Sequence, residues 1–294
     1  MLSSKSQRRP MKMQYKLSDE PKVSAIVPTY NRGYSISRAL KSIEEQTQPV
    51  HEILVVDDGS TDDTQKIINQ QHPTVQIIRN AANQGVSSAR NLGISSATGS
   101  HLAFLDSDDT WHPAKIEKQL HFCQQQPKVN INHCDEIWIK NGKKFNQKLY
   151  HQKFGGDLFE QSLLRCMISP SAVMIKRTLL AKYGGFDENL PACEDYDLWL
   201  RITSQEIIGY IDSPLVTKYG GHDDQLSKTT PALDQYRIHA IKKLIDHGDL
   251  KPAHLESAVS VLRTKLEIYL KGAIRRGNTR DIFHYESIRR KYTK

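Results

Sequence analysis

Three aspartates within four residues are the first group in this sequence that could do chemistry. Asp106, Asp108 and Asp109 follow an apolar segment, residues 102–105, that has the length and aromatic content of a buried strand. Crowded carboxylates are costly unless a hard cation such as Mg²⁺ or Mn²⁺ binds them. Because Mg²⁺ usually takes one or two carboxylates together with substrate phosphates, the pattern predicts a metal-bridged diphosphate. The alternative is a solvated acidic turn that caps the next helix.

Short apolar strands alternate with amphipathic helices through the first 125 residues. Strands are predicted at residues 23–27, 53–56, 75–78 and 101–106, and helices from Ser35 as N-cap, over 61–71, over 85–97 and from Pro113. This alternation predicts an α/β fold with a parallel, doubly wound sheet and helices on both faces. Ligands bind such sheets beyond the carboxyl ends of the strands, where Tyr30, Asp57, Asp58 and the three aspartates lie. Since no glycine-rich phosphate loop follows any strand, we expect a metal to hold the phosphates.

The second half of the chain has a less regular pattern. A strand is predicted to enter a hairpin at Asn141 and Gly142, and further strands are predicted at residues 172–175 and 207–211. Helices are predicted over residues 158–167 and 179–183, and another begins with Glu194, Asp195 and Asp197 in its first turn. Beyond Pro231 the pattern is helical.

Composition and charge limit the class of protein. The chain has 294 residues, of which 38% are hydrophobic and 25% charged, as expected for one large or two modest globular domains. It has no apolar run long enough to span a membrane and no secretory signal, so we expect a cytoplasmic protein. Its four cysteines are too widely spaced to indicate a zinc site or a disulfide framework.

Positive charge is concentrated at the two ends. Residues 241–294 hold 13 Lys and Arg against 6 Asp and Glu, and residues 1–20 hold 5 against 2, whereas the middle holds 23 against 25. This placement favours peripheral contact with an anionic membrane at its inner face, or else only provides solubilising charge on surface helices. No nucleic-acid-binding motif is present, so no nucleic acid partner is expected. We divide the chain into a polar basic tail (1–20), a catalytic domain (21–230) and a basic helical extension (231–294).

Six segments in this order resemble the family 2 glycosyltransferases, which have the GT-A fold. They are VSAIVPTYNR (23–32), ILVVDDGSTDDT (53–64), NQGVSSARNLGI (83–94), LAFLDSDD (102–109), GGFDENL (184–190) and EDYDLWLR (194–201). The resemblance covers roughly residues 22–230 and leaves out the C-terminal helices. It implies a mixed, mostly parallel GT-A-like sheet and an inverting transferase that uses a divalent metal, Mg²⁺ or Mn²⁺. The donor would be a nucleotide-diphosphate sugar, expected to be a UDP-sugar, and the acceptor a glycan or a lipid-linked saccharide.

The resemblance also implies roles for individual residues. Asp195 would be the general base, and Arg90 would lie near the diphosphate or the sugar. Thr29 and Tyr30 would contact the base, with Asp58 hydrogen-bonded to it. The implied substrate-binding residues are Pro28, Thr29, Tyr30, Arg32, Asp58, Asn83, Arg90, Asp106, Ser107 and Glu194. The implied metal ligands are Asp106, Asp108, Asp109 and His222.

Several assignments have structural alternatives. Asp57 is expected to cap or bond the following loop, and Arg90 could be a surface cation paired with an acid. Glu194, Asp195 and Asp197 could merely complement a helix dipole. Trp111 and Trp199 could form the floor of an acceptor pocket or simply pack in the core. At the level of function, the alternatives are a nucleotidyltransferase that makes the activated sugar and a non-catalytic nucleotide-sugar-binding module.

Overall fold

The strands and helices follow from a computed structural model that describes residues 21–145, 148–221, 230 and 232–292. The strands are β1 (Val23–Thr29), β2 (Glu52–Asp57), β3 (Gln76–Arg79), β4 (His101–Phe104), β5 (Thr110–Trp111), β6 (Ile131–Lys140), β7 (Lys143–Phe145), β8 (Val173–Lys176) and β9 (Gly209–Gly220). The helices are α1 (Ile36–Glu44), α2 (Thr64–Gln71), α3 (Val86–Ser96), α4 (Lys115–Gln125), α5 (Phe159–Leu164), α6 (Arg177–Tyr183), α7 (Glu194–Thr203), α8 (Asp234–His247), α9 (Pro252–Arg275) and α10 (Thr279–Lys291).

All the described strands belong to one mixed sheet. Its order is β3–β2–β1–β4–β8–β6–β9–β5, and β7 pairs with β6 outside this path. The strands β3, β2, β1 and β4 run parallel, and β8 reverses direction between β4 and β6. The two longest ladders, β1–β2 and β6–β9, are parallel. The predicted α/β fold with a mixed, mostly parallel sheet is confirmed.

Helices cover both faces of the sheet, as the near-continuous apolar strands require. Along β1, the side chains of Val23, Ala25 and Val27 pack in the same cluster as the apolar residues of α1 and α4, whereas Ile26 faces the opposite side. On that opposite side, α6 and α7 pack their apolar faces against the strands. The side chains at the strand ends are therefore held by a sheet that is buried on both faces.

The longest departure from the predicted elements is β9. The sequence pattern predicts an end near residue 211, but the strand continues to Gly220 because it stays parallel to β6 throughout. The register shifts on either side of Asp135, which pairs with Pro214, and this irregularity accommodates the proline within a long strand. The extra length carries Lys218 and Tyr219 to the same end of the sheet as the predicted site.

One helix start, one helix cap and one short strand also differ from the sequence predictions. Helix α2 begins at Thr64 rather than residue 61, because the Asp62 carboxylate accepts bonds from the Gly33 and Thr64 amides and holds a loop there. Ser35 is the N-cap of α1 by position, but its buried hydroxyl has no hydrogen-bond partner among the described residues. No sequence pattern predicts the two-residue strand β5.

The C-terminal helices pack directly on α5 and α7. Their apolar residues on α8, α9 and α10 form one cluster with Phe159 and Leu163 of α5 and with Tyr196 and Leu200 of α7. The Lys243 ammonium on α8 donates to Asp187 at 2.6 Å and lies 2.9 Å from Asp197 of α7. Helix α7 therefore lies between the sheet and the C-terminal helices. None of the described helices has the length and apolar content that a membrane span requires.

Candidate active site

One cleft of about 840 Å³ lies at the carboxyl ends of β1, β2 and β4. Every predicted site residue within the described part of the chain lines it: Pro28, Thr29, Tyr30, Arg32, Asp58, Asn83, Arg90, Asp106, Ser107, Asp108, Asp109, Glu194 and Asp195. His222 lies outside the described residues. The cleft thus gathers residues from distant segments of the sequence, although the role of each residue stays a prediction.

One side of the cleft, the β1–β2 wall, consists of Pro28, Thr29, Tyr30, Asp58 and Asn83. The Thr29 hydroxyl is buried and has no hydrogen-bond partner among the described residues. Tyr30 is 40% exposed. Because a buried polar atom without a partner is costly, this wall has an atom that a bound ligand could satisfy beside a ring on which a flat group could stack.

Asp58 organises the loop between β3 and α3. Its carboxylate accepts from the Asn80 side-chain amide at 2.8 Å and from the backbone amides of Gln84 and Gly85 at 3.0 and 2.8 Å. The neighbouring Asp57 accepts from the Ser60 amide at 2.9 Å, as expected for a structural aspartate. Asp58 therefore shapes this part of the wall before any ligand binds.

The first turn of α3 opens onto the cleft. Gly85 has φ +95°, a conformation that L-residues with side chains rarely adopt, and it starts the helix at Val86. Gly85, Val86 and Arg90 all line the cleft. The free amides and dipole of a helix N-terminus favour an anion, so this side of the cleft suits a phosphate group.

Arg90 joins the end of β4 to the start of α7. Its side chain is only 4% exposed, and the guanidinium donates to Glu194 Oε1 at 2.6 Å and to Asp106 Oδ1 at 2.8 Å. Burial disfavours the cation, but Asp106 and then Glu194 outweigh it and raise the pKa of Arg90. The alternative that Arg90 is a surface cation is wrong. Its two acidic partners show that it is part of the floor of the cleft.

The three aspartates after β4 differ in their surroundings. Burial alone would raise the pKa of Asp106, but the Arg90 charge holds it below its usual value, so Asp106 is ionised. Asp109 accepts from the Ser171 hydroxyl at 2.7 Å and from the Tyr219 amide at 3.1 Å. Burial raises the pKa of Asp109 above its usual value, and the Lys218 charge opposes this shift. Asp109 thus already accepts a hydrogen bond on each oxygen, which makes it the weakest candidate of the three for a metal ligand.

The chemistry of these residues fits a magnesium or manganese ion. In residues 21–145, 148–221 and 232–292, no three His, Cys, Asp or Glu side chains come together as a ligand set. Magnesium usually takes only one or two protein carboxylates and completes its shell with substrate phosphates and water. Asp106 and Asp108, which both line the cleft, fit this smaller requirement.

Asp195 lies in the first turn of α7. Cys193, two residues earlier, has φ +61°, and this left-handed turn brings Glu194 and Asp195 to the cleft. Asp195 Oδ1 accepts from the Tyr196 amide at 2.7 Å, and Oδ2 accepts from the Cys166 thiol at 3.3 Å. Burial and then the Asp195 charge raise the pKa of Glu194, whereas the Arg90 charge acts to lower it. The neighbouring carboxylates of Glu194 and Asp195 therefore have different partners: Glu194 accepts from Arg90, and Asp195 accepts from the Tyr196 amide and the Cys166 thiol.

None of the residues on the opposite side of the cleft, the β6–β9 wall, is among the predicted site residues. It consists of Trp138, Lys140, Phe145, Lys218 and Tyr219. The Lys218 ammonium lies 3.7 Å from Asp109 Oδ2 and donates to the Ser169 hydroxyl at 3.0 Å. Burial opposes its charge, but Asp109 and then Glu136 raise the pKa of Lys218. No sequence motif marks these residues as a site: the hairpin is predicted without a role, and the predicted last strand stops before Lys218 and Tyr219.

Two further findings concern residues outside these walls. Arg237 and Leu233, from the C-terminal extension, also line the cleft, although the resemblance stops at residue 230. Trp111 and Trp199 are only 3% and 1% exposed and do not line it. The two tryptophans therefore pack in the core, and the acceptor-pocket alternative for them is wrong.

Comparison with known proteins gives a consistent family. The family model described as "Glycosyl transferase family 2" matches residues 24–184. An uncharacterized glycosyltransferase of Rickettsia felis is 32% identical over 264 residues, which are 80% of this chain and 43% of that protein. The chain spans less than half the length of this relative and of two further Rickettsia relatives, of which it covers 32% and 28%.

One relative of more similar length is named for its activity. The Escherichia coli protein "UDP-Glc:alpha-D-GlcNAc-diphosphoundecaprenol beta-1,3-glucosyltransferase WfgD" is 31% identical over 203 residues, covering 68% of this chain and 78% of that protein.

Solved structures share the fold at lower identity. Staphylococcus aureus TarS in complex with UDP-GlcNAc is 22% identical with a TM-score of 0.68, over 83% of this chain and 71% of that one. The mannosyltransferase PcManGT from Pyrobaculum calidifontis, in complex with GDP-Man and Mn²⁺, is 22% identical with a TM-score of 0.62, over 87% and 76%. The fold is that of the GT-A glycosyltransferases. Since the family model covers more than half of the chain and these relatives exceed 30% identity, the chain belongs to glycosyl transferase family 2.

Proposed function

We propose that this glycosyltransferase moves a sugar from a nucleotide-diphosphate donor, with uracil as its base, to a glycan or a lipid-linked saccharide by inverting single displacement. The observation that carries the proposal is that Asp195 lines the same cleft as the β1–β2 wall and the acidic end of β4. The activity for which WfgD is named and the UDP-GlcNAc complex of TarS support a UDP-sugar, and WfgD supports a lipid-linked acceptor.

The donor end of the proposal uses the β1–β2 wall and the floor. Tyr30 would stack on the base, while the buried Thr29 hydroxyl and the Asp58 carboxylate would meet its polar edge. Asp106 and Asp108 would hold Mg²⁺ or Mn²⁺ against the diphosphate, and a metal there stabilises the charge of the leaving nucleoside diphosphate as a Lewis acid. The start of α3 and the cations Arg90 and Lys218 supply further positive potential.

The acceptor end depends on Asp195. An acceptor hydroxyl must lose its proton as its oxygen attacks the anomeric carbon, and a carboxylate within hydrogen-bond reach can take that proton. The Tyr196 amide and the Cys166 thiol fix the orientation of the Asp195 carboxylate. Direct displacement then inverts the anomeric centre and requires no covalent enzyme intermediate.

Replacing Asp195 with Asn tests this assignment. The amide keeps the shape of the side chain but cannot accept the proton, so we expect the transfer rate to fall by about 10²- to 10⁴-fold while donor affinity is retained. Asp249→Asn, which changes an exposed acid outside the cleft, is the control. Sugar transfer and nucleoside diphosphate release would be measured together. An unmutated protein that binds donor but releases no nucleoside diphosphate with any acceptor preparation would instead be a non-catalytic binding module.

Donor and metal can be tested without knowing the acceptor. A thermal-shift panel of nucleoside diphosphates and nucleotide sugars, with Mn²⁺ or with a chelator, should show the largest stabilisation for uridine compounds with metal. Asp106→Asn together with Asp108→Asn should abolish the metal-dependent part. If nucleotides with another base stabilised the protein more than uridine compounds, the proposed UDP-sugar donor would be wrong. Family membership already disfavours the nucleotidyltransferase alternative, which would be revived by pyrophosphate release from sugar phosphate and nucleoside triphosphate.

We also propose peripheral contact of the C-terminal helices with an anionic membrane. Lys271, Arg275, Arg276 and Arg280 are exposed around the turn between α9 and α10, and none forms an ion pair with another described residue. Ile274 and Phe283 on either side of this turn are 59% and 79% exposed. Exposed apolar side chains among cations are typical of proteins that bind anionic lipid surfaces.

Vesicle binding tests the membrane proposal in the full chain. Removing residues 231–294 would uncover α5 and α7, so point variants are the better choice. Arg275→Glu, Arg276→Glu and Arg280→Glu together should abolish sedimentation with vesicles that contain phosphatidylglycerol, whereas Lys22→Glu, Lys66→Glu and Lys128→Glu should not. Equal binding by both triple variants, or no binding by the unmutated protein, would contradict membrane contact at this turn.

A further inference from the structure

Two aromatic rings at the β6–β7 hairpin face the cleft without a role in the donor site. Trp138 and Phe145 lie directly opposite each other in the antiparallel ladder, and their rings stack with centroids 6.1 Å apart at an interplanar angle of 20°. Both residues line the cleft, and Phe145 is 38% exposed. Because an aromatic ring that stays exposed to water inside a cleft has apolar surface still to bury, a ligand that covers the ring gains binding free energy.

The inner ring of this pair is held in place by buried polar groups. The Trp138 indole N–H donates to Glu136 Oε2 at 2.9 Å. Glu136 Oε1 accepts from the Lys153 ammonium at 2.7 Å, and both of these side chains are buried. The His151 ring packs 5.1 Å from the indole. Because these contacts fix the tryptophan before any ligand binds, the aromatic surface costs little further ordering on binding.

The rings of Trp138 and Phe145 lie well away from the β1–β2 wall, where the nucleotide is proposed to bind. In the sheet, β4 and β8 lie between β1 and β6. With neighbouring strands about 4.8 Å apart, β1 and β6 are roughly 14 Å from each other. A base held at the β1–β2 wall therefore leaves the rings of Trp138 and Phe145 accessible. Lys218 pairs with Trp138 in the β6–β9 ladder and lines the same cleft.

We propose that Trp138 and Phe145 form the acceptor subsite, where a pyranose ring of the acceptor saccharide stacks its C–H face on the aromatic pair. A pyranose has an apolar C–H face and polar edges, and the negative face of an aromatic ring attracts such C–H groups. Lys140, which also lines the cleft, could meet the polar edges. This assignment rests on the proposed function for calling the saccharide an acceptor, but saccharide binding itself does not require turnover.

Binding of simple pyranosides tests the subsite directly. Trp111 and Trp199 are buried, so Trp138 is the tryptophan through which a saccharide in the cleft should change the fluorescence. The probes are the methyl α- and β-pyranosides of glucose, galactose and N-acetylglucosamine, at high millimolar concentration, with saturation-transfer NMR as a second readout. We expect at least one of them to bind and to alter the tryptophan emission.

Variants of Phe145 then distinguish stacking from hairpin packing. Phe145→Ala should weaken pyranoside binding roughly five- to tenfold, Phe145→Tyr should retain it, and Phe145→Leu should behave like Phe145→Ala because it keeps apolar volume but loses the ring. Phe283→Ala, at an exposed ring on α10, is the control and should change nothing. UDP affinity should be the same in all four variants.

Three results would overturn the proposal. They are the absence of binding by every pyranoside, equal pyranoside binding by Phe145→Ala and the unmutated protein, and a fall of UDP affinity in Phe145→Ala that matches the fall of pyranoside binding. Phe145 is at the end of an exposed hairpin, so its variants are expected to fold, and thermal denaturation would check this. Pyranoside binding without any sugar transfer would count against the proposed function and leave the saccharide subsite standing.

Discussion

The two walls of the cleft are built in different ways. The β1–β2 wall consists of residues at the ends of strands or in the loop before α3, and the Asp58 carboxylate holds that loop through backbone amides. The β6–β9 wall consists of side chains on two long paired strands and a hairpin, supported by the buried pair of Glu136 and Lys153. The first wall presents polar atoms and a strand-end ring, and the second presents stacked rings and cations. This difference suggests a division of labour between donor and acceptor.

The largest effect is expected from removing Arg90, which contacts both Asp106 and Glu194 in the floor between the two walls. Arg90→Met should leave two acids without their buried cation, and breaking such a buried pair typically costs about 3–5 kcal/mol. We therefore expect a lower free energy of unfolding in urea and loss of sugar transfer. Arg79→Met, at an arginine whose side chain is 53% exposed, is the matched control. Unchanged stability would mean that Arg90 does not join the two sides of the floor.

The second prediction concerns how acid pH lowers the stability of the protein through Glu136, which supports the β6–β9 wall. Although burial opposes ionisation, Lys153 and then Lys218 hold the pKa of Glu136 at about 2, below its usual value of 4.5. Because the folded-state pKa is depressed, the stability from ionised Glu136 is present above pH 4.5 and is lost as the pH falls towards 2. The shift corresponds to about 3 kcal/mol.

Glu136→Gln should lack this contribution. The difference in unfolding free energy between the unmutated protein and the variant should therefore be largest at neutral pH and shrink between about pH 4.5 and 3, as measured by urea unfolding at each pH. The fluorescence of Trp138 should change in the variant as well, since its N–H donates to Glu136. A difference that stays constant across this pH range would show that the Glu136 charge is not stabilised by Lys153.

The smallest expected effect sharpens the division between the walls. Tyr30→Ala should weaken UDP binding by about tenfold, because base stacking on an aromatic ring is typically worth about 1–3 kcal/mol. Phe145→Ala should leave UDP binding unchanged. Tyr34→Ala, at a tyrosine that is 66% exposed and does not line the cleft, controls for the loss of such a side chain. Isothermal titration with UDP and Mn²⁺ would compare the three variants, and equal losses from Tyr30 and Phe145 would contradict separate roles.

Local patterns predict much of the first wall. Short apolar runs define β1, β2 and β4, and the residues that follow a parallel strand must meet at one edge of the sheet. For that reason the amino-acid sequence alone is enough to place Thr29, Tyr30, Asp58 and Asp106 together. The α/β fold and the family follow from the same segments. The role of Asp195 as general base stays a prediction, as does the role of His222.

The sequence by itself determined most of the strands and helices and which polar residues lie at the carboxyl edge of the sheet, because these depend on side-chain periodicity over a few residues. Only the tertiary structure decided which of those residues touch. The bond between Arg90 and Glu194 joins positions 104 residues apart, and the β6–β9 wall depends on a strand register that shifts at Asp135. Such contacts depend on how distant segments pack, and no local pattern encodes that packing.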